Sequence, residues 1–436
     1  MTESKTAVSL FASGGIGDLA LHAAGVRTLV ANELLEDRAR LYERNNPETD
    51  MVCGDINEVK DEVIQRAQRA LDGRTLDFLF ATPPCQGMSK NGRGKLLQGI
   101  RSGSKPELDV RNQLMLAVLE VASVLRPLVI VTENVPEMER TIIRAKNGEY
   151  LPILEVMRNE LEPLGYLGSA QVVEFADYGV PQRRQRLITV FSRAPALNSA
   201  VSNGSWLPRK THARTPSLLE QPWVTVQDVI SHLPTLDASS KALASSSIPM
   251  HSVPTLDAAK YFWVSNTPPG QGAFDNQCVN PACLFDGNPA HSNVRGEEGI
   301  NRSSKQTPLH CQSCGELLPR PWVLKDGVHR IMSGFTSAYK RMRGDLPASA
   351  LTRNLSYACS DQKLHPTQHR VLSLAEACIL HTISQYDYVW ERSDGRKVPD
   401  KLIRDVIGES IPPAGLQVIF QELINRLTRK NLEEAA

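Results

Sequence analysis

Cys85 stands between Pro84 and Gln86 in the run Pro83-Pro84-Cys85-Gln86-Gly87, directly after the apolar stretch 78–81. Two prolines stiffen the chain ahead of the thiol. A structural cysteine belongs inside an apolar run, so this one is a candidate nucleophile, strong where its thiolate charge is stabilised. The following stretch, 88–105, carries Gly92, Gly94, Gly99 and Gly103 with Lys90, Arg93, Lys95, Arg101 and Lys105, and no acid. It is either a solvated loop or a lid whose cations meet phosphates as it closes. Glu133, in Val131-Thr132-Glu133-Asn134-Val135, puts an acid at the end of another apolar run; its plainer role is a helix cap or ion-pair partner.

A second group of residues has the pattern of a nucleoside site. Phe11-Ala12-Ser13-Gly14-Gly15-Ile16-Gly17 follows the first apolar run. Glycines at a strand-to-helix turn let the backbone approach a ligand, though a tight turn alone also wants them. Glu33, at the end of the second strand, can accept from two ribose hydroxyls, and Asp55 in Gly54-Asp55-Ile56 from an adenine amino group, or it caps a helix. All three lie at carboxyl ends of successive strands, where an open α/β sheet binds its ligand.

A third group has metal-ligand spacing. Cys278 and Cys283 form one pair, Cys311 and Cys314 another, the second followed by Gly315. Four thiolates in two turns suit a tetrahedral zinc, which would anchor a Pro/Asn/Gly-rich region short of apolar periodicity. His291 and His310 are competing ligands, and four unrelated thiols are the plain alternative.

These residues need a scaffold. Segments 8–12, 28–31, 78–81, 128–131 and 187–191 have strand character; 18–24, 37–45, 59–71 and a helix begun at Asp109 have helical character. That alternation predicts an α/β fold with a mostly parallel sheet and helices on both faces. From about residue 194 Pro and Ser become frequent, predicting a loop-rich second domain; helical patterning returns at 373–383 and 417–427.

The 436 residues are 41% hydrophobic and 22% charged, which excludes a disordered or collagen-like chain. A net charge of +1 gives no global polyanion signal, so any nucleic-acid surface must come from local clusters such as Arg320, Lys325, Arg330, Lys340, Arg341 and Arg343. No run approaches the roughly 20 apolar residues of a membrane span, and the first residues lack the pattern of a signal peptide. A cytoplasmic chain with reduced thiols is expected.

The ordered motifs resemble the DNA (cytosine-5)-methyltransferase family over roughly 7–192 and 335–425. Pro83-Pro-Cys85-Gln-Gly is similar to its nucleophile motif, Glu133-Asn-Val to ENV, Asp109-Val-Arg111-Asn-Gln-Leu114 to DxRxxL and Gln182-Arg-Arg184-Gln-Arg186 to QxRxR. Arg370-Val-Leu-Ser373-Leu-Ala-Glu376-Ala resembles RxLTxREA, and Gly408-Glu-Ser410-Ile-Pro-Pro resembles GNSVPP. Three departures stand out: Ser13 and Ile16 break FxGxGG, Glu409 replaces an Asn, and Ser384-Gln-Tyr-Asp-Tyr388 stands where FPD is usual.

The resemblance implies an α/β, Rossmann-like S-adenosylmethionine-dependent methyltransferase domain with an inserted small target-recognition domain. The segments would be 1–192, 193–389 with the zinc insertion at 278–314, and 390–436. It implies Cys85, Glu133, Arg184 and Arg186 as catalytic residues; the arginines reach the cytosine C2 carbonyl and phosphates, or else brace the sheet. S-adenosylmethionine contacts would be Phe11, Ser13, Gly14, Gly15, Gly17, Glu33, Asp55, Ile56, Pro83, Leu114 and Ser410. The implied partner is double-stranded DNA, bound by a monomer in a restriction–modification or other phage-defence system with its own partner proteins. A tRNA cytosine methyltransferase of the same fold is the near rival; the long variable region and the lack of a Cys-Phe-Thr motif count against it. A catalytically idle DNA-binding module is the distant one.

Overall fold

The computed structural model describes residues 4–84, 110–289, 294–295, 301–302, 307–333 and 337–433. Cys85, the basic stretch after it, Asp109 and His291 lie outside the described residues.

A central sheet is built from β1 (Lys5–Leu10), β2 (Val26–Glu33), β3 (Asp50–Cys53), β4 (Phe78–Ala81), β5 (Val129–Asn134), β6 (Leu167–Glu174) and β7 (Gln185–Ser192). The strand order is β3-β2-β1-β4-β5-β7-β6. β1 to β5 are parallel, and β7 runs against both its neighbours. The order reverses between β1 and β4, and that switch point opens a crevice at the carboxyl ends of the strands.

Helices cover both faces, so the central strands are apolar on both sides. On one face α3 (Ile56–Leu71), α4 (Leu114–Leu125) and α5 (Ile153–Leu161) pack against Val8, Leu10, Leu79 and Ile130. On the other, α1 (Ile16–Ala23), α6 (Pro195–Ser202) and the last helix, α10 (Pro413–Glu433), meet Phe78, Phe80, Val129 and Val131. Phe420 sets its ring edge-on to Phe78 at 5.7 Å and to Phe80 at 5.4 Å, so the chain end completes the first domain. Between β2 and β3 runs α2 (Glu36–Asn45).

The packing moves the expected domain boundaries. Leu197, Ala200, Val201 and Trp206 are buried in the core of the large sheet, so that domain continues past residue 192. At the other end, Leu372, Leu374, Leu380, Val406 and Ile407 share one core with Ile16, Leu19 and Leu41. Apolar contact therefore does not break near 389; α8 (Leu374–Leu380) and α9 (Asp400–Glu409) seal the two parts together. The remainder of the second domain has its own core, where Trp263 packs edge-on against Tyr339 at 5.4 Å and Trp322 at 5.7 Å. Its helix α7 (Ala258–Ser265) starts at Asp257, whose side chain accepts from Lys260 N–H.

Candidate active site

β4 and β5 end side by side at the crevice, β5 bringing Glu133 there and β4 continuing into Thr82, Pro83 and Pro84. Beyond β4, the Thr82 hydroxyl donates to Phe11 O at 3.0 Å, tying this segment to the turn after β1. Pro83 is buried, and its carbonyl accepts from Asn134 Nδ2 at 2.9 Å, while Asn134 Oδ1 accepts from Val135 N–H at 2.8 Å. Asn134, the middle residue of the ENV motif, thus fastens the segment that leads to Cys85 to the strand that carries Glu133.

Glu133 is 6% exposed, opposite Ile188 of β7. Arg186 Nε lies 2.7 Å from its Oε1 as an ion pair. The N–H is not aligned on that oxygen, which has no aligned donor among the described residues. Burial pushes the Glu133 carboxyl above its ordinary value, opposed by Arg186 and then Arg184.

Arg184 makes the bracing contacts that are one of its two expected readings. It is 1% exposed, with Nη1 donating to Leu351 O at 2.7 Å and Nη2 to Gly408 O at 2.8 Å. Its terminal nitrogens join β7's entry to the second domain and to α9, and its charge reaches Glu133. Burial, then Arg186, pushes the guanidinium well below its usual value. Close approach makes this brace fit: a Cβ on Gly408 would stand 2.3 Å from Arg353 N.

Ser410 follows α9. Gln182 Oε1 accepts from Leu351 N–H at 3.0 Å, leaving its amide nitrogen to meet His381 Nδ1 at 3.0 Å. His381 Nε2 then donates to Ser410 Oγ at 2.9 Å. The buried imidazole is held neutral by burial, with Arg184 and Arg186 adding to the effect. Gln182 opens the QxRxR motif without an assigned role, and His381 carries no signal in the sequence. Glu409, the departure from the family motif, pairs with Arg38 at 2.7 Å and Arg353 at 3.4 Å, so its charge is matched.

At the β1–β2 edge, Phe11, Ser13 and Gly15 all have positive φ (60°, 49° and 85°), which folds the turn tightly over the strand ends. Glu33 is buried, with Oε2 accepting from Ser13 N–H at 2.8 Å and Oε1 from Leu35 N–H at 2.9 Å. Burial pushes its carboxyl up, against the Leu35 N–H and Arg38. Its remaining lone pairs suit a vicinal diol. The glycines themselves meet protein: a Cβ would lie 2.9 Å from Leu41 at Gly14, 2.8 Å from Asn46 at Gly15 and 2.9 Å from Phe80 at Gly17. Their smallness serves packing beneath the turn. Asp55 caps α3 by accepting from Asn57 N–H at 2.9 Å, and Ile56 behind it is buried. Leu114 opens α4 and is half-buried.

The paired cysteines converge. Sγ of Cys278, Cys283, Cys311 and Cys314 all lie within 4.8 Å of one another, with Cys278–Cys314 at 3.6 Å and Cys283–Cys311 at 3.9 Å. Tetrahedral zinc with bonds of about 2.3 Å separates its sulfurs by about 3.8 Å, whereas a disulfide needs about 2.05 Å. Asn288 Nδ2 donates to Cys311 Sγ at 3.7 Å and Asn280 Nδ2 to Cys314 Sγ at 3.9 Å. His310 is not in the cluster; its Nδ1 lies 3.1 Å from Gly315 O.

The basic cluster expected on the second domain divides. Arg320 is fully buried and donates to Asn276 O, Pro289 O and Pro308 O. Arg341, 1% exposed, donates to Thr267 O, His365 O and Val264 O. These two are internal struts, because a guanidinium can satisfy several carbonyls at once. Arg343 pairs with Asp345, while Lys325 and Arg330 are exposed.

Known proteins share this arrangement. The chain matches the family described as C-5 cytosine-specific DNA methylase over residues 6–425. It is 27% identical over 435 residues to the type II methyltransferase M1.HgaI of Avibacterium volantium, covering 98% of this chain and 99% of that one. M.AquIA of Picosynechococcus is 32% identical over 245 residues, 53% of this chain and 89% of that relative. A candidate DNA modification methyltransferase from an E. coli prophage has the same fold, with a TM-score of 0.52 at 19% identity over 98% of this chain and 100% of that one. The chain belongs to the C-5 cytosine-specific DNA methylase family and is a DNA (cytosine-5)-methyltransferase.

Proposed function

We propose that this enzyme methylates C5 of a flipped-out cytosine within a specific duplex sequence through a covalent bond from Cys85 to C6. The supporting observation is the juncture at the ends of β4 and β5, where Asn134 ties the Pro83 segment beside a buried Glu133. S-adenosylmethionine supplies an electrophilic methyl group, with Glu33, Asp55, the turn from Phe11 to Gly15 and Ser410 as its holding residues. Cys85 thiolate adds to C6 and makes C5 a nucleophile. Glu133 donates a proton to N3 and accepts from the 4-amino group, stabilising the charge that develops on the ring. After methylation, with S-adenosylhomocysteine as the leaving group, the C5 proton goes to water, the N3 proton returns to Glu133 and the Cys85–C6 bond breaks, returning the thiolate. Because stacking buries both ring carbons, the base leaves the duplex at a cost of a few kcal/mol.

The type II relatives favour a restriction–modification role; in our reading the enzyme acts in the cytoplasm as a monomer. Transfer of labelled methyl to duplex DNA and to tRNA separates this reading from the RNA rival, and bisulfite sequencing of DNA from expressing cells reveals the target. Label entering only tRNA, or no new methylcytosine, overturns it.

The four thiolates hold a structural zinc in this reading, because their spacing matches a tetrahedral ion. Elemental analysis of the purified chain should give one zinc. Cys311→Ser with Cys314→Ser should lose it and weaken DNA binding before cofactor binding. Metal-free protein with an intact second domain contradicts the assignment.

A further inference from the structure

A short hairpin leaves the second domain directly after Arg320. Its strands, β8 (Trp322–Lys325) and β9 (Val328–Ile331), pair antiparallel, with Trp322 opposite Ile331, Val323 opposite Arg330, Leu324 opposite His329 and Lys325 opposite Val328. Asp326 and Gly327 join them with φ of 53° and 74°, the conformation a two-residue hairpin turn requires. Strand alternation puts Trp322, Leu324, His329 and Ile331 on one face. That face is anchored at its Trp322 end, where Trp322 packs on Trp263 at 5.7 Å and on His329 at 4.2 Å, while Leu324 near the tip is 62% exposed.

The opposite face consists of Val323, Lys325, Val328 and Arg330. Val323 is 43% and Val328 56% exposed, and Lys325 and Arg330 are exposed without an ion-pair partner among the described residues. Branched methyl groups held in water beside two unpaired cations mark a surface that meets a partner. The base is rigid. Met332 N–H donates to Pro321 O at 3.0 Å, and the buried Arg320 fixes the preceding residue's neighbours to Asn276 O, Pro289 O and Pro308 O around the thiolate cluster.

We infer that this hairpin is the element that reads the target sequence, entering the major groove of duplex DNA with Val323, Lys325, Val328 and Arg330 toward the bases and phosphates. The inference rests on the DNA-methylation reading above. A two-stranded ribbon fits a groove about 12 Å wide, an arginine pairs with a guanine edge, and branched methyls suit the thymine methyl. The cations complement the polyanion, whereas a protein partner would need acids placed to match them. The zinc-anchored base would then set the hairpin's angle to the groove.

The test uses the full chain and a duplex bearing the site that bisulfite sequencing assigns to the wild type. Lys325→Ala with Arg330→Ala should weaken binding at least tenfold, and should flatten the salt dependence by up to about 2 in slope, since each phosphate contact contributes about 0.9. Val323→Ser with Val328→Ser should broaden the set of methylated sequences. Both double variants should bind S-adenosylmethionine as the wild type does. Unchanged affinity, slope and methylation pattern in both would overturn the inference while leaving the enzyme assignment standing; a hairpin that serves a protein partner gives that result. A wild type that methylates no duplex would remove both readings together.

Discussion

Asn134→Ala removes the side chain that joins the acid-bearing strand to the thiol-bearing segment. It deletes the bond from Nδ2 to Pro83 O at 2.9 Å and that from Val135 N–H to Oδ1 at 2.8 Å. Each is worth about 1 kcal/mol net, and a buried carbonyl left without its donor costs about 1–3 kcal/mol. The fold should therefore lose about 2–4 kcal/mol. Pro83 lies two residues before Cys85, so part of that loss should appear as misplacement of the nucleophile. If about 1.4–2.8 kcal/mol does so, methyl transfer slows roughly ten- to hundredfold. Single-turnover transfer from a preformed complex measures that step, and calorimetry should show a far smaller change in S-adenosylmethionine affinity. Asn134→Asp is the sharper control, because it keeps an acceptor for Val135 N–H but sets an oxygen against the Pro83 carbonyl. It should be slowed as much as the alanine variant. A folded Asn134→Ala protein with the wild-type single-turnover rate would refute the positioning argument.

Gly408→Ala must displace backbone, since its Cβ would lie 2.3 Å from Arg353 N and 2.6 Å from Thr352 C; a thermal melt should show at least about 1–3 kcal/mol of destabilisation. Arg370 and Glu376 form a fully buried pair with contacts of 2.7 Å, so Glu376→Ala should cost about 3–5 kcal/mol by leaving the guanidinium unmatched. Burial pushes the Glu376 carboxyl up, but Arg370, His365 and Ser373 N–H outweigh it and hold the value below 4.5. The folded value being depressed, the pair's contribution is present above pH 4.5 and is lost as pH falls from there through the lower folded value. Denaturant midpoints across that range should show this acid loss in the wild type and less of it in Glu376→Gln.

Much of the scaffold is legible because its strands are buried on both faces. The runs at Phe78–Ala81 and Val129–Asn134 are continuously apolar until the strand end where the chemistry begins. β6 gives no such signal: it is an edge strand, and only Val173 among its residues is fully buried. β3, also at an edge, has Val52 as its one buried residue and is marked in the sequence only by Asp55 just beyond its end. At the site, residue types that attack or bind carry their own signal, as Cys85 and Glu33 do, but positioning residues do not. Gln182 heads the QxRxR motif, but its partner His381 lies 199 residues on and reaches Ser410 a further 29 away, contacts that no local pattern encodes. Arg320 and Arg341 show the converse, a charge that looks like surface until its carbonyl partners are known. For Arg320 a cue did exist, since it lies between Pro319 and Pro321 with Leu318 and Trp322 beside them.

In the proposed mechanism the sulfur of Cys85 is the atom that bonds to cytosine. A duplex carrying 5-fluorocytosine at the enzyme's own target position, incubated with S-adenosylmethionine, tests that bond directly, because fluorine cannot leave as the C5 proton does. Denaturing electrophoresis should show an adduct that depends on the cofactor, and peptide mapping should place the DNA on Cys85, with no adduct from Cys85→Ser. Methylation of the ordinary site with no adduct at the fluorinated one, or an adduct on any other residue, would contradict it.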